Sequence, residues 1–172
     1  MGESGVVPQR GRYESRFLRA VDADRGHAVW IRQTTHQRPG EPPTVAAWCT
    51  VWEDGRPRAV KQSGREPTAH LDPGGAAGRA AAQGHEAAWE LTFAGGEPAL
   101  RHLPRPWMYR APLPRTKLES PQPGVQVSGW VEVDGHRIEL GQRLVLRDPP
   151  DVEGATAFAT ALFAGGLAQG SG

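Results

Sequence analysis

The chain has 172 residues, the size of a single domain or a marginal pair of domains, which excludes a large multidomain assembly. Its 20 basic and 19 acidic side chains leave a net charge of +1, so no global field attracts a nucleic acid or a membrane surface. We therefore expect no nucleic-acid partner. The 22 glycines and 16 prolines are rich in turn formers and favour a β or loop-rich fold, while six tryptophans indicate a hydrophobic core.

The redox and targeting signals are those of a soluble protein. Cys49 is the only cysteine, so no internal disulfide can form, and we interpret it as a small buried hydrophobe. Residues 1–12 lack the apolar run of a signal peptide, and no segment approaches the ~20 apolar residues that a membrane helix needs. These observations predict a cytoplasmic protein without a membrane span.

Alternating apolar and polar residues predict antiparallel hairpins between a disordered lead-in at 1–12 and residue 148. Two of the turns are Asp-Gly pairs, Asp54-Gly55 and Asp134-Gly135, which are strong hairpin signals. The turn-rich segment 22–25 predicts the first hairpin, and the third in chain order is predicted around the turn at 94–97. The predicted strands cover 14–21, 26–35, 45–52, 58–62, 85–93, 99–103, 125–133 and 136–140.

Three segments follow no strand pattern. Residues 63–84 mix Gly, Ala and Pro and fit a helical turn or a mobile loop equally well. Residues 104–121 contain five prolines and predict an extended crossing segment. The tail at 149–172 has helical spacing that ends at Gly165, which is compatible with one short C-terminal helix; the spaced residues are Val152, Ala155, Ala159, Leu162 and Phe163.

Successive hairpins without crossover helices exclude a parallel α/β sheet and predict a mainly β fold, an antiparallel barrel or sandwich. In the strand at 45–52, Cys49 and Val51 face one way while Trp48 and Trp52 face the other, so both sides are apolar. Such a strand is central in a sandwich or lines a barrel that is filled or holds a ligand. The tryptophans can accordingly pack the core or line a pocket for a hydrophobic molecule; they are Trp30, Trp48, Trp52, Trp89, Trp107 and Trp130.

Motifs for most common chemistries are missing. The six histidines never stand at i, i+2 or i, i+4, so no metal site is predicted, and no cofactor motif is present. A Gly-x-Ser-x-Gly elbow and a phosphate-binding glycine loop are also missing from the sequence. The basic segment 101–117 with Trp107 and Tyr109 superficially resembles a single-strand nucleic-acid platform. Its prolines favour a structural interpretation, with the aromatics in the core and the arginines in solvent.

Five segments together resemble the amino-terminal half of the hydroxyneurosporene synthase, or carotenoid hydratase, family. This family of lipocalin-like double barrels is grouped with tocopherol cyclases and fungal Diels–Alder cyclases. The resemblance covers about residues 13–140, and the proline-rich fourth segment is its most specific part. The segments read Glu-Ser-Arg-Phe-Leu at 14–18, Ala-Val-Trp-Ile-Arg at 28–32, Ala-Trp-Glu-Leu at 88–91, Tyr-Arg-Ala-Pro-Leu-Pro-Arg-Thr-Lys-Leu at 109–118, and the strand and turn at 129–135.

The resemblance implies a calycin-type barrel and an isoprenoid- or polyketide-like ligand. In the family, a Gly-His-Asn-Trp motif and a second barrel follow, and the polar groups credited with the chemistry lie largely there. Here Leu140 is followed by 141–148 without that motif. The family's catalytic residues therefore have no counterparts to carry over, and a truncated relative is one interpretation.

Three hypotheses follow. The leading one is a one-barrel module that binds an apolar small molecule without turnover, using Trp30, Trp48, Trp52 and Trp89 with Tyr109 and Arg110 as polar handles. The second is a hydratase or cyclase, which needs a general acid in an apolar cavity; the candidate carboxylates are Glu90, Glu119 and Glu132. The third is a chain without independent function that self-associates or pairs with a second barrel through an exposed apolar interface.

Overall fold

The computed structural model describes residues 11–22, 24–101, 103–111, 116–120, 123–141 and 162–166. These residues form a mainly β structure with a single 3₁₀ turn, so the predicted fold class is confirmed. Within the described residues, no helical segment has the length and hydropathy of a membrane-crossing helix. The strands are β1 (Arg12–Asp22), β2 (His27–Gln37), β3 (Thr44–Glu53), β4 (Arg56–Gly64), β5 (Ala69–Asp72), β6 (Gly75–Ala82), β7 (His85–Ala94), β8 (Leu100–Arg101), β9 (Thr116–Ser120), β10 (Gln126–Val133), β11 (His136–Leu140) and β12 (Leu162–Gly166).

The strands form two antiparallel sheets that pack as a sandwich. Sheet A has seven strands in the order β4-β3-β2-β1-β12-β9-β8, and sheet B has five in the order β11-β10-β7-β6-β5. In sheet A, β1 to β4 form a meander of long neighbouring strands. Because β3 lies between β2 and β4, its position matches the central sandwich strand that its two apolar faces predicted.

Tight turns at one end of the sandwich confirm the predicted Asp-Gly hairpins. Asp54 and Asp134 have φ values of 49° and 53°, and each is followed by a glycine that also has a positive φ. Two successive residues with positive φ form a turn whose twist matches that of the flanking strands. Gln83 and Gly84 make a third such turn, between β6 and β7, which the sequence analysis did not predict.

The unassigned segment at 63–84 contains two strands, β5 and β6. Alternation is hidden in β6 because alanine occupies both faces: Ala76 and Ala80 are buried and Ala81 is exposed. Small residues are required at this point. A Cβ on Gly78 would lie 2.5 Å from the Cβ of Ala69 in the neighbouring strand, so a larger side chain would separate β5 from β6.

The third predicted hairpin, around 94–97, is wrong. Instead of pairing with β7, the chain leaves sheet B, and β8 pairs with β9 at the edge of sheet A. Gly95 and Gly96 both have positive φ, at 68° and 113°, and the amide of Glu97 bonds to the carbonyl of Pro123. These glycines let the chain change sheets where a two-residue turn would have returned it to its neighbour.

The proline-rich segment also differs from the extended crossing that was predicted. Pro106–Tyr109 forms the 3₁₀ turn, and β9 follows within the same segment. Trp107 was predicted to fill the core, but it is 59% exposed, so this prediction is wrong. A proline at the first position of the turn suits its fixed φ, which favours a turn over continued extension.

The C-terminal helix prediction is wrong for Leu162 and Phe163, because both belong to strand β12. This strand pairs with β1 on one side and β9 on the other. A strand here satisfies the backbone N–H and C=O groups of both neighbours, which helical spacing alone cannot reveal. The rest of the proposed helix, residues 1–10 of the lead-in predicted at 1–12, and the boundary at residue 148 lie outside the described residues, whereas Arg12 begins β1.

The core lies between the two sheets. Each long strand contributes alternate residues to it, and Trp89 on β7 is the largest fully buried side chain. On β7 the inner residues are Ala87, Trp89 and Leu91. The fully buried core also includes Leu18, Val29, Ile31, Cys49, Val51, Leu71, Val127, Val131, Val133 and Leu140.

Cys49 is completely buried, and burial raises the pKa of its thiol to about 12. Because the thiolate is the nucleophile, we expect native Cys49 to resist thiol reagents under mildly alkaline conditions. Reaction with Ellman's reagent should proceed only at the rate of unfolding and should become rapid in denaturant. Rapid labelling of the folded protein would contradict this burial.

Gly129 in β10 tests the close approach of two strands. Its φ is +129°, and a Cβ there would overlap the carbonyl oxygen of Glu90. Gly40 has a positive φ of 75° but open space around it. We expect Gly40→Ala to cost about 1 kcal/mol of unfolding free energy and Gly129→Ala to cost about 2 kcal/mol more. Urea unfolding of both variants measures the difference; equal losses would show that the strands do not approach this closely.

Candidate functional site

The outer side of sheet A carries three of the six tryptophans that the sequence singled out. Strand register places Trp48 directly between Arg32 on β2 and Lys61 on β4. Trp30 stands two positions from Arg32 on β2, so it points to the same side. Trp52 also points there, because it stands two positions from Thr50, the residue paired with Trp30. The four tryptophan and arginine side chains are half-buried, and Lys61 is exposed. We call this surface the aromatic face; it consists of Tyr13, Trp30, Arg32, Trp48, Trp52 and Lys61.

Two cations hold the ring of Trp48. The guanidinium carbon of Arg32 lies 5.3 Å from the centre of that ring and 6.0 Å from that of Trp30. The ammonium of Lys61 lies 4.9 Å from the ring of Trp48. A cation within about 6 Å of an indole is attracted by the negative face of the ring. These contacts fix the tryptophan, which stays half-buried.

Arg32 is fixed by hydrogen bonds that it donates to β1. Its Nε donates to the hydroxyl of Ser15 at 3.0 Å, and its Nη2 donates to the hydroxyl of Tyr13 at 2.7 Å. Tyr13 in turn meets the ring of His36 edge-on, with centroids 6.0 Å apart. Because both acceptors stand on a neighbouring strand, the guanidinium keeps one orientation, and this makes the aromatic face a preorganised surface.

Carboxylates are absent from the outer side of β1–β4. These four strands contain three acidic residues, Glu14, Asp22 and Glu53, and alternation places all of them on the inner side with Leu18 and Cys49. Glu53 reaches across the sandwich, and its Oε2 lies 2.8 Å from Nε2 of His136 in sheet B. The outer side of the same strands carries only cations among its charged groups: Arg19, Arg32 and Lys61.

The structure separates Trp89 from the other three predicted ligand-binding tryptophans. Trp89 is 2% exposed and lies between the sheets, on the opposite side from the aromatic face. Its indole Nε1 is buried without a hydrogen-bond partner among the described residues. A shallow cleft near the start of β3, lined by Gln33, Gln62 and Thr68 among others, has room for little more than water. Trp89 itself belongs to the cluster of buried apolar side chains between the sheets.

Tyr109 and Arg110, the predicted polar handles, lie in and just after the 3₁₀ turn. The Tyr109 hydroxyl accepts a hydrogen bond from the amide of Leu103 at 3.0 Å, and the guanidinium of Arg101 lies 5.7 Å from its ring. Arg101 belongs to β8, which is five strands away from β3 in sheet A. At about 4.8 Å per strand this is roughly 24 Å along the sheet, so these handles and the tryptophans do not form one site.

The acid candidates for a hydratase or cyclase lack the setting that the reaction needs. Glu90 is exposed and Glu132 is half-buried, both on the outer side of sheet B. The side chain of Glu119 lies outside the description. Asp22 is a buried carboxylate, but it accepts from the Arg25 amide at 3.2 Å and pairs with the Arg25 guanidinium at 3.5 Å. None of these described carboxylates stands in an apolar cavity, where a general acid would be kept protonated.

Pairing of distant strands supplied what the sequence reasoning missed. The sequence analysis did not predict a site role for Arg32, Lys61 or Tyr13, because nothing in the sequence fixes which residue stands opposite Trp48. The alternation of Trp30 and Arg32 was visible, and it was the only signal available. Within the part of the chain that the structure describes, no group of three His, Cys, Asp or Glu side chains is arranged to hold a metal ion.

No protein-family model matches the chain, and no curated protein matches it. A Nitrosomonas europaea protein provisionally designated AttH has a crystal structure that aligns with 13% identity and a TM-score of 0.49. The alignment covers 99% of this chain and 57% of that protein, so the chain spans just over half of its length. The β class rests on the strands described above, and the resemblance to the carotenoid hydratase family stays a prediction.

A carboxylate at the turn end links two hairpins. The Asp134 carboxylate accepts a hydrogen bond from the Glu86 amide at 2.9 Å and lies 2.8 Å from Nδ1 of His85. The backbone bond from Glu86 and then the contact with His85 lower the pKa of Asp134, with a smaller contribution from the charge of Arg58. A lowered pKa stabilises the folded state above the ordinary pKa, and this stabilisation is lost as the pH falls through the native value.

We therefore expect Asp134→Asn to be less stable than the natural protein near neutral pH, with the difference closing in acid. Asparagine tolerates the left-handed turn conformation, so the substitution removes the charge while preserving the backbone. Urea midpoints across a pH series measure the effect. Asp54→Asn, in the equivalent turn with φ of 49°, controls for the turn itself. Stability curves that stay parallel down to strong acid would contradict the role of the charge.

Proposed function

We propose that this protein binds an apolar small molecule of isoprenoid or polyketide type on the aromatic face. The observation that carries the proposal is the arrangement around Trp48, whose ring is fixed by Arg32 and Lys61 and stays half-buried beside Trp30. Indole rings offer a large apolar area, and a ring that is already fixed loses little freedom when a ligand covers it. Binding without turnover is the function that fits this surface.

The outer side of sheet A is favoured over the interior as the binding place. The sequence hypothesis combined Trp30, Trp48 and Trp52 with Trp89 around one pocket, but alternation divides them between two sides. A small-molecule site commonly needs several hundred cubic ångströms of space, and the core around Trp89 is filled with side chains instead. The resemblance to carotenoid hydratases supports only the chemical class of the ligand.

An open sheet covers a smaller share of a ligand than a closed pocket does. We therefore expect micromolar rather than nanomolar affinity, because less apolar area leaves water on binding. The location of the protein in the cytoplasm and its independence from cofactors remain predictions of the sequence. The lack of a buried, unpaired carboxylate among the described candidates gives the hydratase or cyclase alternative no specific support.

Retinol is a suitable probe, because it has an isoprenoid body and its absorption overlaps tryptophan emission. Titration should quench the emission of the protein and saturate. Trp48→Ala should weaken retinol binding about tenfold, since it removes one of the contact rings. The Kd from the quenching titration and the Kd from an independent partition assay should show the same change.

Trp130→Ala is the matched control. Trp130 is also a half-buried tryptophan beneath an arginine, with the guanidinium carbon of Arg137 4.1 Å from its ring, but it lies on the outer side of sheet B. Its loss should change retinol binding less than twofold. Light scattering on each variant separates binding from self-association. If retinol does not bind, or if both variants weaken it equally, the aromatic face is not the site.

A further inference from the structure

We infer that the ligand of the aromatic face carries an acidic head group, a carboxylate or a phosphate, which is held at Lys61 and Arg32 while the apolar body lies along the tryptophans. This inference rests on the proposed function and specifies its substrate class. It follows from the charges on the face, which are not balanced by anything on the same side of β1–β4.

The carboxylates of these strands lie on one side only. The three acidic residues of β1–β4 face inward, as do four of their arginines, whereas Arg19, Arg32 and Lys61 face outward without an acid on that side of β1–β4. Net charge over the whole chain is only +1, so this local excess results from how the strands sort their side chains. A surface of one sign with an apolar neighbourhood attracts a ligand of opposite charge at the head and apolar character elsewhere.

The matching motif on sheet B shows what is missing on sheet A. There Arg137 covers Trp130 and also donates from Nε to the carboxylate of Glu139 at 2.8 Å, so the cation has an internal anion. Lys61 has no carboxylate within ion-pair distance among the described residues. On sheet B the cation beside the tryptophan is neutralised by Glu139. On sheet A, Lys61 beside Trp48 has no such carboxylate among the described residues.

The geometry leaves donors available for an anion. Arg32 uses Nε and Nη2 for Ser15 and Tyr13, which leaves Nη1 without a hydrogen bond to any described residue, and Lys61 is exposed. Arg32 and Lys61 stand on either side of Trp48 in one row across the sheet, with backbones about 9.6 Å apart at 4.8 Å per strand. Long side chains that both reach the Trp48 ring can reach one head group placed at its edge.

Three probes with the same isoprenoid body test the inference: retinol, retinoic acid and retinyl phosphate. The measured quantity is the affinity of each acid relative to that of retinol. We expect a preference of about five- to tenfold for at least one acid, the size that one or two partly solvated ion pairs provide, and we expect higher salt to reduce it. The comparison of the two acids tells a carboxylate head from a phosphate head.

Lys61→Gln should remove most of the preference, and Lys61→Arg should retain it. Because Lys61 is exposed, neither change threatens the fold. Arg79→Gln, which removes an exposed cation on the outer side of sheet B, is the control and should leave the preference intact. Circular dichroism verifies that each variant is folded.

The outcomes separate this inference from the function on which it rests. If retinol and both acids bind with equal affinity, the face binds apolar molecules and the acidic head is wrong. If an acid is preferred but Lys61→Gln does not change the preference, the head group binds elsewhere and the inference is also wrong. If none of the three probes binds to the folded protein, the proposed function itself fails.

Discussion

The two sheets adhere through apolar side chains that alternate with other residues along every long strand, and the rest of the molecule adapts to this contact. In β1–β4 the inner positions include Leu18, Ile31, Cys49 and Val60, which stand in register on neighbouring strands. Burial of this row removes a continuous apolar surface from water, the dominant favourable contribution to folding. Every residue between these positions must then face outward.

This sorting gives the two sides of sheet A different chemistry. The inner side can accommodate Glu53 because His136 in sheet B faces it at 2.8 Å, so the charged group crosses the sandwich at its end. The outer side has no opposing sheet among the described residues, and its large side chains stack on one another instead. Arg32 fills the space between Trp30 and Trp48, while Ser15 and Tyr13 take its hydrogen bonds. In a row of this kind the side chains support one another, and Trp30, Trp48 and Trp52 stay half-buried.

Comparison of the two arginine–tryptophan pairs connects packing with function. Both pairs use the same attraction between a guanidinium and an indole, at 4.1 Å for Arg137 over Trp130 and 5.3 Å for Arg32 over Trp48. A surface cation usually gains little from an ion pair, so the presence of Glu139 beside Arg137 matters less for stability than for local charge. No described carboxylate stands beside Lys61, which is why the proposed acidic ligand is placed on sheet A.

The sequence by itself determined the β class, the hairpins at 22–25, 54–55 and 134–135, and the burial of Cys49, because alternation and turn residues are local signals. It could not determine the strand at 75–82, where alanine occupies both faces, nor the change of sheet after Gly95. It also could not assign Trp48 and Trp89 to opposite sides of the sandwich. Only the tertiary structure decided that separation and brought Arg32 and Lys61 to Trp48, because the register between strands depends on contacts between residues distant in the chain.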